Sequence, residues 1–254
     1  MKFSLLSFNI HKGFSLFERS FTLPRIRDFI RELNPDLALL QEVVGENTKH
    51  RSRLPQWPTV SQTEYLSKGN WPHSVYGKNA IYEKPPHYRN HGNCLLSRFS
   101  ILSSENQNIS TNSLEQRGLL HAKVQIPQGP ALHLFNVHLN LTHKGRMQQI
   151  QKIIERGKIH VDPTSPLILA GDFNDWNQKT AAPLAEHLEL EESFHHMQSR
   201  HASSFPSFFP VLSLDRIYYR GLHIVSSRVI NEKSTQALSD HLPLLVEFET
   251  EVPK

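Results

Sequence analysis

The chain has 254 residues, 38% hydrophobic and 20% charged, proportions of an ordinary globular protein long enough to bury a sizeable core. No apolar run nears the roughly 18 residues of a membrane span, which excludes stable membrane insertion by a helix as an expectation. The formal charge of +4 is uneven, with 18 Lys and Arg against 10 Asp and Glu in residues 1–150 and 10 against 14 in the rest; a basic first half suits a polyanionic partner.

The opening MKFSLLSFNIHKG is apolar only briefly before Asn9 and His11 interrupt it, too short for a secretory signal, so a cytoplasmic location is expected. Residues 3–8 read as a first strand. Leu23, Ile26, Phe29, Ile30 and Leu33 recur at helical spacing, with Thr22 available as a cap and Pro24 in the first turn. Asn34-Pro35 stops that helix. Residues 37–40 form a second buried strand that ends on Gln41-Glu42. Residues 46–72 are polar and aperiodic, which predicts an irregular or functional segment; Lys49, His50, Arg51 and Arg53 make a basic cluster within it.

Strands are predicted over 73–82, 93–97, 119–126 and 132–139. A helix follows at about 144–156, with Met147, Ile150, Ile153 and Ile154 on one face. Strands over 167–170, 214–219, 224–230 and 244–248 close the chain. No Gly/Ser-rich or charged linker divides it, so 1–254 is expected to be a single α/β domain. LSFNIH (6–11) and LFNVH (134–138) are alike, a hint of internal duplication on too few residues to establish one. Cys94 is the only cysteine, so no intramolecular disulfide forms, and a packed neutral thiol is expected there.

The polar residues of interest sit at the ends of apolar runs. Asn9 ends the first strand, Glu42 the second, and His138 lies in FNVHL. Asp172 and Asn174 follow LILA, Asp215 opens LDRIYY, and Asp240-His241 precede the last strand. Polar groups at strand ends of layered α/β proteins gather around a shared crevice. Carboxylates, asparagines and histidines together describe a site for a hard divalent cation and a phosphate. Singly, each has a blander role as a cap, turn or core hydrogen-bonding residue.

Taken in order, FNIHKG, LLQEV, HGNCLLSR, NVHL, GDFN, LDRIY and SDHLPL resemble the motifs of the endonuclease/exonuclease/phosphatase superfamily, from Asn9 to Pro243. The resemblance implies a four-layer α/β sandwich, two central mixed β-sheets flanked by helices, with the site at one rim. It also implies a Mg²⁺-dependent phosphodiester hydrolase, Mn²⁺ being the natural substitute. Glu42, Asn9 and Asp240 would serve the metal. His241, held by Asp215, would activate water for in-line attack, with Asp172 as rival base. Asn174 and His138 would stabilise the phosphoryl oxygens, and Arg117 and Asn93 would contact the substrate phosphate.

The departures concern substrate. Leu214-Asp215-Arg216 lacks the cysteine of the phosphoinositide phosphatase type, and Asp175-Trp176 stand where the tyrosyl-DNA type has Arg-Asp. The chain most resembles compact bacterial members. Nuclease-like activity on nucleic acid is the leading expectation, with a phospholipid or small phosphodiester as the alternative substrate. A non-catalytic binding module is the third reading, and the filled motif positions argue against it. Trp176 and residues 205–210 would stack a base, receive a lipid, or pack as ordinary core.

Overall fold

In the computed structural model, which describes residues 1–250, alternation along the central strands brings Asn9, His138 and Asp172 to one rim. The first sheet is built from β1 (Lys2–Asn9), β2 (Leu37–Asn47), β3 (His73–Lys84), β4 (His87–Ser97), and, from the far end of the chain, β11 (His223–Val229) and β12 (Leu244–Glu249). The second holds β5 (Ser100–Asn108), β6 (Gly118–Gln125), β7 (Ala131–His138), β8 (Leu167–Asp172), β9 (Glu191–Glu192) and β10 (Asp215–Arg220). Strand orders are β11-β12-β1-β2-β4-β3 and β5-β6-β7-β8-β10-β9. Each sheet is mixed: β1 runs parallel to β2, and β7 to β8, while the other pairings are antiparallel.

The sheets face each other across a core of Leu5, Leu39, Leu95, Leu134, Ile168, Ile217 and Val246. Helices α1 (Leu23–Leu33), α2 (Thr48–Arg53) and α3 (Gln62–Ser67) precede β3, and α1 and α3 cover the outer face of the first sheet through Ile26, Ile30 and Leu66. Helices α4 (His143–His160) and α5 (Ala181–Leu188) cover the second sheet through Ile150, Ile153 and Leu184. Four layers result. Because central strands are covered on both faces, they read as near-continuous apolar runs. Two short helices, α6 (Ser193–Gln198) and α7 (Lys233–Gln236), complete the described residues.

On the inner face every second residue counts. Passing toward one rim, that face changes from apolar to polar: Leu5-Ser7-Asn9 on β1, Leu39-Gln41 on β2, Leu134-Asn136-His138 on β7, and Ile168-Ala170-Asp172 on β8. A buried amide seam marks the change. Asn136 Nδ2 donates to the carbonyls of Leu40 (3.1 Å) and Cys94 (2.9 Å), and its Oδ1 accepts from Gln41 Nε2 (2.8 Å). These bonds tie one sheet to the other just beneath the polar rim.

The two similar segments noted in the sequence occupy matching places. Phe8-Asn9 and Phe135-Asn136 each lie on a strand with a parallel neighbour on one side and an antiparallel neighbour on the other.

Several expectations change. β2 does not end at Glu42 but continues to Asn47, through an irregularity at which Glu42 takes a left-handed φ of 55°. Thr22 does not cap α1; its hydroxyl donates to the Leu238 carbonyl at 2.6 Å instead. The aperiodic stretch holds α2 and α3, too short to show a helical period. The inner face of α4 carries buried Arg146 and Gln149, with Met147 only half-buried beside them. Cys94 is fully buried, and loss of hydration pushes its thiol up to about 12.

Candidate active site

Asp172 is the hub of the polar rim. It ends β8 with its carboxyl turned inward and 1% exposed. Gly171 before it has φ +142°, and a Cβ there would lie 1.9 Å from the Val137 carbonyl oxygen, so glycine is required at this close approach of β8 to β7. Asp172 Oδ1 accepts from the Asn174 amide at 2.9 Å, closing a tight turn in which Asn174 adopts a left-handed φ of 49°. Asp172 Oδ2 accepts from Asn9 Nδ2 at 3.1 Å and lies 3.4 Å from His138 Nε2 and 3.6 Å from His241 Nε2. Three strands and the loop before β12 therefore converge on one oxygen atom.

His241 is buried between two carboxylates. Its Nδ1 meets Asp215 Oδ2 at 2.8 Å, and the same oxygen accepts from the Ser204 hydroxyl. The Phe205 ring packs against the imidazole with centroids 4.9 Å apart. Burial disfavours the imidazolium, but the carboxylates of Asp215 and Asp172 outweigh it and raise His241 to about 10. Burial raises Asp172 to about 7, against the opposing pull of His241. His138 moves the other way. Desolvation and then the Arg117 charge press it well below 6.5, so it is neutral at pH 7.

Glu42 lies on the opposite side of the hub. Its Oε1 is 3.4 Å from Asn9 Nδ2 and 3.9 Å from His138 Nδ1. Its buried Oε2 lies 3.2 Å from the Lys12 ammonium and, among the described residues, accepts no hydrogen bond from a neutral donor. Burial opposes ionisation, yet His138 when protonated and Lys12 throughout hold the carboxyl below its usual range. Asp240 is turned toward His11, with Oδ1 3.6 Å from His11 Nδ1, and Ser239 anchors this corner by donating to the Asn9 carbonyl at 2.7 Å.

Asn174 Nδ2 donates to the Leu139 carbonyl at 3.0 Å, and Arg117 Nε donates to the same carbonyl at 3.3 Å. Both residues line the cleft. Asn93 is placed differently from the expectation. It is fully buried between the sheets, where Nδ2 donates to the carbonyls of Gly118 and Asn136, and it does not line the cleft.

Above these residues opens a cleft of about 1130 Å³. Lys49, His50, Tyr82, Tyr88 and Arg89 form one part of its lining, and Leu141, Trp176, Phe205 and Leu212 another. Trp176 is 60% exposed, and Phe208 and Phe209 beyond Phe205 are exposed as well, so this segment is not core.

Two places offer cation ligands. Asp172, Asp215 and His241 put their ligand atoms within 4.8 Å of one another. Asp215 Oδ1 is left without a hydrogen-bond partner, but a cation there would have to displace the proton that two carboxylates hold on His241. Glu42 fits better: one of its carboxylate oxygens is buried without a neutral donor, and Asp240 lines the same cleft, so two carboxylates suited to a hard divalent ion border it.

Sequence reasoning passed over Lys12, His91 and the pair Arg146 and Gln149. His91 lines the cleft, and burial lowers it to about 4. Fully buried Arg146 reaches the Leu141 carbonyl at 2.6 Å and Asn177 Oδ1 at 2.9 Å, and Gln149 Oε1 accepts from the Asn140 amide at 2.8 Å. They bind the loops after β7 and β8 together. The signal was two long polar side chains one turn apart on the apolar face of α4.

The sequence pattern of the Endonuclease/Exonuclease/phosphatase family matches residues 6–241. The uncharacterized Escherichia coli protein YbhP is 38% identical over 247 residues, covering 97% of this chain and 96% of YbhP. Among solved structures, an endonuclease/exonuclease/phosphatase from Bacteroides vulgatus superposes with a TM-score of 0.75 at 17% identity, covering 99% of this chain and 100% of that one. D. rerio TDP2 complexed with a single-strand DNA product superposes at 0.67 with 18% identity, over 98% and 99% of the respective chains. At such identities these likenesses bear on the fold.

Proposed function

Because the chain belongs to the endonuclease/exonuclease/phosphatase family, whose members are generally hydrolytic, we propose that it hydrolyses phosphodiesters with a divalent cation held beside Glu42. One observation carries this reading: Asp172 Oδ2, a buried carboxylate oxygen, is ringed by Asn9, His138 and His241 at the floor of an open cleft. Glu42, with Asn9 and Asp240 nearby, would hold Mg²⁺, or Mn²⁺ in its place. Such an ion, when bound, neutralises charge gathering on the phosphoryl oxygens.

The rest is the work of the chain. The protonated imidazole of His241, fixed through Nδ1 by Asp215, directs Nε2 and its positive charge toward a phosphate in the cleft. Held protonated, it is a poor proton acceptor at neutral pH. That role passes to Asp172, whose ionisation lies near neutrality and whose Oδ2 receives the proton from the attacking water. Neutral His138 donates a hydrogen bond to the developing charge, and Asn9 keeps Asp172 and Glu42 in register. Asn174 already spends one amide hydrogen on Leu139 and has the other for a phosphoryl oxygen.

Nucleic acid is the preferred substrate class. Lys49, Arg89 and Arg117 supply phosphate contacts, and Tyr88 and the 60% exposed Trp176 supply ring faces on the same cleft. The fold neighbour TDP2, complexed with single-strand DNA product, lends support. A phospholipid is the second reading, favoured by the exposed Phe208, Phe209, Val211 and Leu212 at the apolar lip.

Hydrolysis of single-stranded DNA and of phospholipid vesicles, measured with and without chelator from low to high salt, tests these statements. DNA cleavage that needs Mg²⁺ and falls steeply with salt is expected. Lipid cleavage that persists at high salt, with DNA untouched, overturns the nucleic-acid assignment; full turnover in excess chelator overturns the metal. Glu42→Gln is expected to weaken Mg²⁺ binding by at least tenfold, on the order of losing one ligand charge, and unchanged affinity contradicts the assignment of Glu42.

A further inference from the structure

Lys12 touches Glu42, yet no step above employs it. It sits in the short 3₁₀ turn His11–Gly13 with a left-handed φ of 58°. Its backbone is pinned: the Lys12 carbonyl accepts from Gln62 Nε2 at 2.8 Å, and Gln62 Oε1 accepts from the Val44 amide of β2 at 2.8 Å. Gln62 is 1% exposed, so this link ties the Lys12 backbone rigidly to the strand that carries Glu42. Only the four-carbon side chain is left to move.

That side chain has two berths. Its Nζ is 3.2 Å from Glu42 Oε2 and 3.7 Å from Glu18 Oε1. Glu42 is largely buried, with 15% of its side chain exposed, whereas Glu18 is 53% exposed at the mouth of the same cleft. An ammonium and a divalent ion cannot both rest on one carboxylate oxygen, since the ammonium would sit within contact range of a double positive charge.

We propose that Lys12 is a built-in rival of the divalent cation: the two take Glu42 in turn, and Glu18 receives the ammonium when the cation loads. This rests on Glu42 being the cation ligand. Lys12 then sets a threshold for loading, because part of the cation's binding free energy goes to displacing it and the apparent affinity falls accordingly. It also selects for charge. A monovalent ion gains nothing by replacing another single charge on Glu42, whereas a divalent ion does. The displaced ammonium stays at the cleft mouth, opposite an incoming anion.

The test is Mn²⁺ binding to the full chain, followed by calorimetry and by the electron spin resonance of free Mn²⁺. Lys12→Gln is expected to bind roughly tenfold tighter than wild type, Lys12→Arg about as wild type, and Glu18→Gln several-fold weaker, since Lys12 then has only Glu42. Glu42→Gln should lose the ion. Mass-spectrometric amine labelling adds a second readout: saturating Mn²⁺ should speed modification of Lys12 in the wild type. If Lys12→Gln binds no tighter while Glu42→Gln has lost the ion, the rivalry is wrong and the cation site stands. If Glu42→Gln binds like wild type, both fall.

Discussion

At the scale of single residues, the site is a problem of placing one proton among Asp172, His241 and Asp215. The 2.8 Å contact between His241 Nδ1 and Asp215 makes the imidazolium the stable form. His241 rises from 6.5 to about 10, so its contribution to stability is complete below about pH 6.5 and is lost as pH rises through about 10. Denaturation midpoints should therefore drop across that window in the wild type and much less in Asp215→Asn. Activity should rise as Asp172 ionises near pH 7 and fall as His241 deprotonates near pH 10. In Asp215→Asn the falling limb should move to lower pH, and an unmoved limb would show that Asp215 does not hold the proton on His241. The pair acts as a unit, so His241→Ala and Asp215→Asn should each cost on the order of 10²–10³-fold in kcat while the double variant costs little more. Losses that multiply would mean that the two residues act independently.

At the scale of elements, what holds the rim is backbone geometry and buried amides. Gly171→Ala should destabilise the protein by about 2 kcal/mol or more, because a Cβ at φ +142° meets the Val137 carbonyl. Asn136→Ala should cost about 3 kcal/mol by leaving the carbonyls of Leu40 and Cys94 unpaired between the sheets. Chemical denaturation measures both, and a loss under 1 kcal/mol at Asn136 would mean that water replaces the amide. The central strands were legible in the sequence because apolar runs covered on both faces leave a clear trace, and so was the gathering of Asn9, Glu42, His138, Asp172, Asp215 and His241. β5 was not. SILSSENQN is an exposed edge strand, with no alternation to read. Nor was the place of Asn93, since an asparagine bracing two sheets and one facing a phosphate have the same spacing along the chain. The inward turn of Glu42 comes from a left-handed residue inside β2, and nothing in LLQEVVGEN announces it.

At the scale of the whole molecule, residues from Asn9 to His241 meet at one point, and the two sheets are joined there by amides rather than by a hinge. The first sheet is also closed late. β12 lies between β11 and β1, and β1 pairs with it from Lys2↔Glu249 to Ser7↔Leu244. A chain cut after Pro243 should show no cooperative melting transition, because β1 then keeps β2 alone as a partner; a sharp transition in that fragment would contradict this. The order of strands also fixes a moment in the life of the molecule. While the ribosome is still adding residues, β1 waits beside a gap that only β12 fills, and Asp240 and His241 arrive just ahead of it. Until residues 240–249 have been made, the cleft floor lacks His241 and the first sheet lacks the strand that closes it beside β1.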